Sequence, residues 1–449
     1  MHRLYDPRIL LGLAIALGAM TVACANPAST SVNTSSQTPN AEIEGDIGNL
    51  DRIAYVSSNG DIFTVDPDGG GLSQLTGGFK AATGSEGSVQ AQQLRLNEYY
   101  AWPTWSADGT KLAVSKVVVG EDKVAISLQV LDARTGGSET VYENGQAGII
   151  AEGAPHYIYW SPSGNVLSFL ASTTSGLSLF VWDGTSDDPV SLVERGAPLY
   201  YNWSKNGENM ALHVAADITF VRFLEAGSPR QAIHSSGGFR VPAISPDGQS
   251  LAYVAAGDGG LGLYIASVAD LTQRRKVIDV GASSAFLWSP DGSHLLVGDQ
   301  PNPRVPYFDR LMLASAGDGT VTTLPAEGVM AFYWAPTGDK LAWVEVNSAI
   351  QEMEWVVSSS DDSDVKRLFS FKPSTEVFIM FSFFDQYVYS HSPWSPDGKS
   401  LVVAGSKGEE ARRSNGRTPT GDRIYVLDVE GGATPRDLGA GVLAFWSWN

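Results

Sequence analysis

A five-residue phrase, Trp288-Ser-Pro-Asp-Gly292, constrains this chain more than any other stretch, because the chain repeats it. Worn copies stand at Trp105-Ser-Ala-Asp-Gly109, Trp160-Ser-Pro-Ser-Gly164, Trp203-Ser-Lys-Asn-Gly207, Ile244-Ser-Pro-Asp-Gly248, Trp334-Ala-Pro-Thr-Gly338 and Trp394-Ser-Pro-Asp-Gly398. All seven keep the final Gly and five keep Pro in third place. Each copy is a turn with a mechanism. Pro presets φ, Asp suits the next place, and Gly takes the left-handed residue that closes a tight hairpin. A short apolar run follows each turn, as in Leu251-Ala-Tyr-Val254 and Leu341-Ala-Trp-Val344, and we read these runs as alternating strands. Successive copies lie 41 to 60 residues apart, the period of a four-stranded propeller blade.

The repeat resembles the TolB-type propeller repeat, a relative of the WD repeat. Residues 51–76 and 288–324 carry the resemblance most fully, the first matching from the second strand onward: Ile53-Ala-Tyr-Val56, Ile62-Phe-Thr-Val65, then the turn Asp66-Pro-Asp-Gly-Gly70. It extends over residues 51–449 and implies an all-β propeller of four-stranded antiparallel blades. Seven units open on the turn, at 105, 160, 203, 244, 288, 334 and 394. The 53–75 segment lacks a first strand, and Leu443-Ala-Phe-Trp446 is a first strand with nothing after its turn. Joined, the two fragments make one more blade and leave no sheet edge open. The expectation is a closed eight-bladed β-propeller whose C-terminal strand completes the first blade.

Ahead of the repeats, Arg3 and Arg8 precede an apolar run from Ile9 to Ala23, which reads as a secretory signal over residues 1–23. Thr21-Val-Ala-Cys24 resembles a bacterial lipobox, which implies lipidation of Cys24, the only cysteine of the chain. Ordinary cleavage after Ala25 is the alternative. Residues 24–50 are rich in Ser, Thr, Asn and Pro and read as a flexible tether. Thirty basic residues against forty-nine acidic give a net charge of −19, which argues against a nucleic-acid partner. The expected location is extracytoplasmic, lipid-anchored to a bacterial membrane in the periplasm or at the cell surface.

The spacing between units locates the extra chain. The turns between first and second strands are uniformly tight. Long blade connections fall at residues 77–100, 143–156 and 371–389, and long second-to-third-strand loops at 115–124, 299–308 and 405–421. In a propeller these belong to one face, the usual address of binding. That face collects Tyr99, Tyr100, His156, Arg304, Phe383, Phe384, Tyr387 and His391, together with the basic cluster Arg412, Arg413 and Arg417. The aromatics can pave a partner surface, or serve as core between blades. His156 and His391 hold equivalent places in blades that are not neighbours, so a shared metal is disfavoured and no cofactor is expected.

Catalytic motifs are missing: the sequence holds no Gly-x-Ser-x-Gly, no His-Glu-x-x-His and no phosphate loop. We therefore expect a monomeric, non-enzymatic binding scaffold for a protein partner or an anionic or carbohydrate polymer. A propeller-fold polysaccharide lyase or other carbohydrate-active enzyme is the alternative, and a TolB-like envelope-integrity protein a further one. The peptidases that share such propellers need a hydrolase domain, for which we expect no room after Asn449; TolB itself has an α/β domain and six blades. If Cys24 carries the lipid, Cys24→Ser moves the protein from the membrane fraction to a soluble one with its thermal unfolding unchanged; an unchanged membrane fraction refutes the anchor.

Overall fold

The computed structural model describes residues 51–77, 98–119, 124–143, 155–222 except 163, 165, 174–175 and 186–189, 230–301 except 282, 304–347, 352–360, 364–407 and 421–447. The stretches read as signal and tether, with Cys24, and also Arg412, Arg413 and Arg417, lie outside these. Among the described residues no helix is long and apolar enough to cross a membrane.

The chain is all-β, and its strands follow one another as antiparallel meanders. Five four-stranded sheets span Glu98–Glu143, Pro155–Arg195, Leu199–Ile233, Ala243–Asp279 and Ser283–Thr323, each with its strands adjacent in chain order. The remaining strands join in one ten-stranded sheet that runs from Val329–Trp334 through Arg436–Trp446 to Ile53–Ser57 and Ser73–Gln74.

Two long strands make that fusion, each serving two neighbours in turn. Val365–Pro373 pairs first with Glu352–Ser359 and then, through Phe371, Lys372 and Pro373, with Lys407, Ser406 and Gly405. Arg436–Trp446 pairs with Arg423–Asp428 as far as Ala440, and from Gly441 onward with Ile53–Ser57, setting Ile53 opposite Trp446 and Val56 opposite Leu443. The fragments at the two ends of the repeat region therefore complete one sheet, at a sequence separation that only a long-range constraint can fix.

The repeated turn is built as its composition demands. In Trp288–Gly292 the Ser289 hydroxyl donates to Asp291 Oδ1 at 2.6 Å and accepts the His294 N–H at 2.9 Å. Asp291 Oδ1 also takes the Ser293 N–H at 3.0 Å, and Gly292 closes the turn at φ 74°. These bonds hold the Asp291 carboxyl down to about 2, the side-chain bond from Ser289 foremost. The Asp of the phrase is thus fully employed by the turn itself.

Two features of the sheets differ from the sequence reading. The second strands do not alternate: Leu341, Ala342, Trp343 and Val344 are all fully buried, because neighbouring sheets cover both faces. Strands also extend into stretches read as loops. Lys111–Val119 continues through Ser115 and pairs residue by residue with Val124–Asp132, as its Val-Val-Val end favours.

At four positions the repeated Trp staples a sheet to the one before it. The Trp105 indole N–H donates to Phe445 O at 3.2 Å, Trp160 to Thr104 O at 3.0 Å, Trp288 to Ala243 O at 3.0 Å and Trp203 to Ser168 Oγ at 2.9 Å. Trp334, Trp394 and Trp446 are packed without such an acceptor among the described residues. Trp160→Phe should lower stability by about 1 kcal/mol more than Trp334→Phe, since both lose similar volume but only the first loses a satisfied bond. Urea unfolding midpoints of the two variants decide; equal losses dismiss the staple.

Candidate functional site

The stretch 371–389, read from sequence as a long connection, begins as the end of a strand and from Ser374 onward is a helical insertion that runs to His391. Helix α1 (Thr375–Ser382) opens on Ser374, whose hydroxyl accepts the Val377 N–H at 3.2 Å, with Glu376 in the first turn to suit the helix N-terminus. A single turn, α2 (Phe384–Tyr387), follows at once. The insertion takes the place of a regular first strand before Trp394, which keeps only an isolated bridge to Leu401.

This insertion reaches residues from opposite ends of the chain. Phe384 packs against Phe332 at 4.5 Å between ring centres, Tyr333 at 5.6 Å and Phe308 at 6.2 Å. Tyr387 stacks on Trp102 at 4.8 Å and meets Tyr157 edge-on at 5.6 Å. The Tyr389 hydroxyl donates to Phe286 O at 2.9 Å. His391 lies 4.5 Å from the Phe445 ring, and the Ser374 hydroxyl donates to Val442 O. These contacts are made with the first strands of the 98–143, 155–195 and 283–323 sheets and with both parts of the fused one. A segment that touches first strands from so many sheets sits where those strands converge.

Of the residues singled out from sequence, the insertion brings together Phe383, Phe384, Tyr387 and His391. Phe384, Tyr387 and His391 are buried, so they make the interior of the insertion and pave no outer surface; Phe383 is half-buried against the same core. Tyr100 is also buried, its hydroxyl donating to Glu98 Oε1 at 3.0 Å with the Lys116 ammonium 5.8 Å from its ring centre. Tyr99, half-buried, packs so closely on Gly60 that a Cβ there would fall 2.4 Å from its own. His156 is half-buried on Pro155–Trp160, and Arg304 is exposed.

Sequence reasoning missed Asp385, Tyr159 and Arg240, which the fold sets around the insertion. Asp385 is half-buried. Burial raises its pKa, and the Arg240 guanidinium counters this only in part. Tyr157 is pushed well above the ordinary phenol range by burial first, then by the phenols of Tyr201, Tyr159, Tyr389 and Tyr387. The Tyr201 hydroxyl donates to Ser168 Oγ at 2.9 Å. A signal for the helix was present in Ser374-Thr-Glu-Val377, a capping residue followed by an acid in the first turn.

His391 is the polar hinge of the insertion. Its Nε2 lies 3.2 Å from Thr104 Oγ1, whose own proton has the Trp102 carbonyl as acceptor at 3.2 Å. Its Nδ1 lies 2.6 Å from Ser390 Oγ. A neutral ring that donates from Nε2 and accepts at Nδ1 satisfies all three groups. Burial pushes its pKa down to about 3, and that of His213 to about 4, again chiefly by burial.

No protein-family model matches the chain, and no curated protein matches it. Solved structures do. TolB from Acinetobacter baumannii is 16% identical, with 76% of this chain and 84% of that one covered and a TM-score of 0.39. A putative TolB from Agrobacterium tumefaciens is 15% identical over 78% of this chain and 96% of its own, with a TM-score of 0.38. A structure from a study of two prolyl endopeptidases is 11% identical over 79% of this chain, with a TM-score of 0.50. This chain covers 51% of that endopeptidase, about half its length, and the likeness shows the fold alone.

The buried histidines set a pH dependence. Between an unfolded value near 6.5 and folded values of about 3 and 4, the unfolded chain binds protons that the folded chain refuses. Stability is therefore full above about pH 6.5 and declines as the pH falls below it. At pH 5.5 each histidine costs about 1.4 kcal/mol. His391→Gln should reduce the drop in unfolding temperature between pH 7.5 and 5.5 relative to the unaltered protein. An identical drop shows that His391 does not titrate on unfolding.

Proposed function

We propose that the chain is a closed eight-bladed β-propeller of TolB-like type, held outside the cytoplasm by a lipid on Cys24, and that it serves as a non-enzymatic binding scaffold. Its working face is the one that carries the blade connections. The observation that carries this reading is the uneven distribution of added chain. The hairpin turns on one side are bare and internally hydrogen-bonded, as at Ser289 and Asp291, whereas the additions collect at the other ends of the strands. One of those additions, residues 374–391, is anchored in the centre and gives the face a rigid floor. A rigid base under variable loops is how scaffolds present binding surfaces.

Charge gives the face its direction. In a protein of net charge −19 the segment 405–421 carries Lys407, Arg412, Arg413 and Arg417, and Lys407 stands 5.4 Å over the Tyr425 ring at its root. The partner that fits is an acidic protein or an anionic polymer of the cell envelope, drawn to this sector by local contrast. The scaffold reading needs no catalytic group, and the prolyl endopeptidase likeness reaches it only as fold.

Changing Arg412, Arg413 and Arg417 together to Ser should weaken capture of the envelope partner by about tenfold or more at low salt, and by less as salt rises. Asp291→Asn, on the opposite face, should leave capture alone. Pull-down from native membranes with the lipidated protein measures both. Loss with Asp291→Asn and none with the arginine changes overturns the choice of face.

A further inference from the structure

Few polar groups tie the insertion to the rest of the protein. Among the described residues its side chains make three hydrogen bonds beyond itself. Ser374 donates to Val442 O at its start, Tyr389 donates to Phe286 O at 2.9 Å, and His391 meets Thr104 Oγ1 at 3.2 Å at its end. The backbone adds one long bond, from the Ser374 N–H to Ala404 O at 3.4 Å. Everything else is apolar contact, and beneath α1 that contact is incomplete. A small cavity remains there, lined by Val377, Met380 and Phe381 of the helix and by Trp355, Ala404 and Leu443 below. Atoms that face a void forfeit their dispersion contacts on that side.

Of the three anchoring side chains only His391 changes charge in mildly acid solution. It is 1% exposed, with its ring centre 4.5 Å from that of Phe445, 5.6 Å from Tyr387 and 6.1 Å from Trp102. The elements packed against it offer those rings and the Thr104 hydroxyl, and its own segment offers the Ser390 hydroxyl. None of these groups brings it a negative charge, since the Tyr387 phenol, raised by burial, stays neutral throughout. A second proton on the ring therefore finds a hydroxyl to bond but no opposite charge, and a buried cation in that position is driven toward water. Burial accordingly holds the ring down to about 3. Asp385 and Glu376, the carboxyls of the insertion, are raised by burial, so through them acid favours the closed form and works against release.

We infer that protonation of His391 releases the insertion 374–391 from the first strand Glu98–Trp105 while the sheets stay folded, which makes the segment an acid-sensitive latch. Its closure is complete above about pH 6.5 and weakens as the pH falls from there toward 3. Within that window each pH unit favours opening by up to about tenfold. Release uncovers the apolar floor of Trp355, Leu443 and Phe445, which the closed helix hides. The latch rests on the contacts of the insertion alone and holds whatever the loops bind.

Hydrogen exchange of the full chain at pH 7.5 and 5.5, corrected for intrinsic rates and repeated in low urea, tests this. Amides of 377–391 should exchange about tenfold faster at the lower pH. Urea below the unfolding transition should leave those rates unchanged, the mark of local opening. Amides of Lys340–Asn347 should speed up with urea, because they exchange through global unfolding. His391→Gln, which keeps a donor and an acceptor without the titration, should abolish the acid rise. His213→Gln, a buried histidine on another sheet, should preserve it. Should His391→Gln fail to fold, the unaltered protein decides: opening should rise about eightfold from pH 6 to 5, the slope of a single proton. A flat profile over that unit overturns the inference. So does exchange in 377–391 that follows urea as Lys340–Asn347 does, or an acid rise that survives in His391→Gln.

Discussion

The pairing of Gly441–Trp446 with Ile53–Ser57 is the interaction on which the remaining order leans. A row of sheets laid side by side has two outer members, each with a face and a strand edge that nothing covers. Here the edge of the first sheet is filled from the far end of the chain, and the filling strand is itself the outer strand of the preceding sheet. Arg436–Ala440 is paired with the one neighbour and Gly441–Trp446 with the other, and the apolar residues Leu443, Ala444, Phe445 and Trp446 are buried. With the first strand in place, Phe445 offers its carbonyl to Trp105 and its ring to His391, so the next sheet and the insertion are both positioned from this one strand.

Much of this was legible because each unit carries its own instructions. Ser289, Asp291 and Gly292 determine their hairpin through bonds spanning no more than five residues, so a short phrase suffices to announce it. The missing strand of the first sheet was legible for a different reason: Ile53-Ala-Tyr-Val56 and Leu443-Ala-Phe-Trp446 are each incomplete in the same repeat frame. The helical insertion was not. Its residues, Val-Phe-Ile-Met-Phe, have the composition of a strand, and helix α1 is held by tertiary burial of Val377, Met380 and Phe381 more than by propensity. The strands at Lys111–Val119 and Glu98–Trp105 were cut short in the reading because their ends carry Lys and Glu, which tolerate an outer, solvated position without ending a strand.

The site was legible only as a gathering of aromatics. Tyr and Phe before each first strand signalled a crowded centre, but sequence does not say which ring packs against which. That depends on the insertion: Phe384 settles among Phe308, Phe332 and Tyr333, while Tyr387 crosses to Trp102 and Tyr157. Asp385 lies between these two anchors and is carried to the centre by them.

The strand shared between the ends also sets a schedule. Ile53 leaves the ribosome nearly four hundred residues ahead of Trp446, its partner in the sheet. At the usual 5–20 residues per second this is a delay of about 20–80 s, during which Ile53–Ser57 has one edge bare and Val56, Tyr55 and Phe63 lack their cover. Closing so long a loop is slow, and an uncovered apolar strand in a crowded compartment finds other strands first. The leading segment is therefore exposed for as long as the trailing one is absent. In a chain exported unfolded across a membrane, neither end can pair before both have crossed.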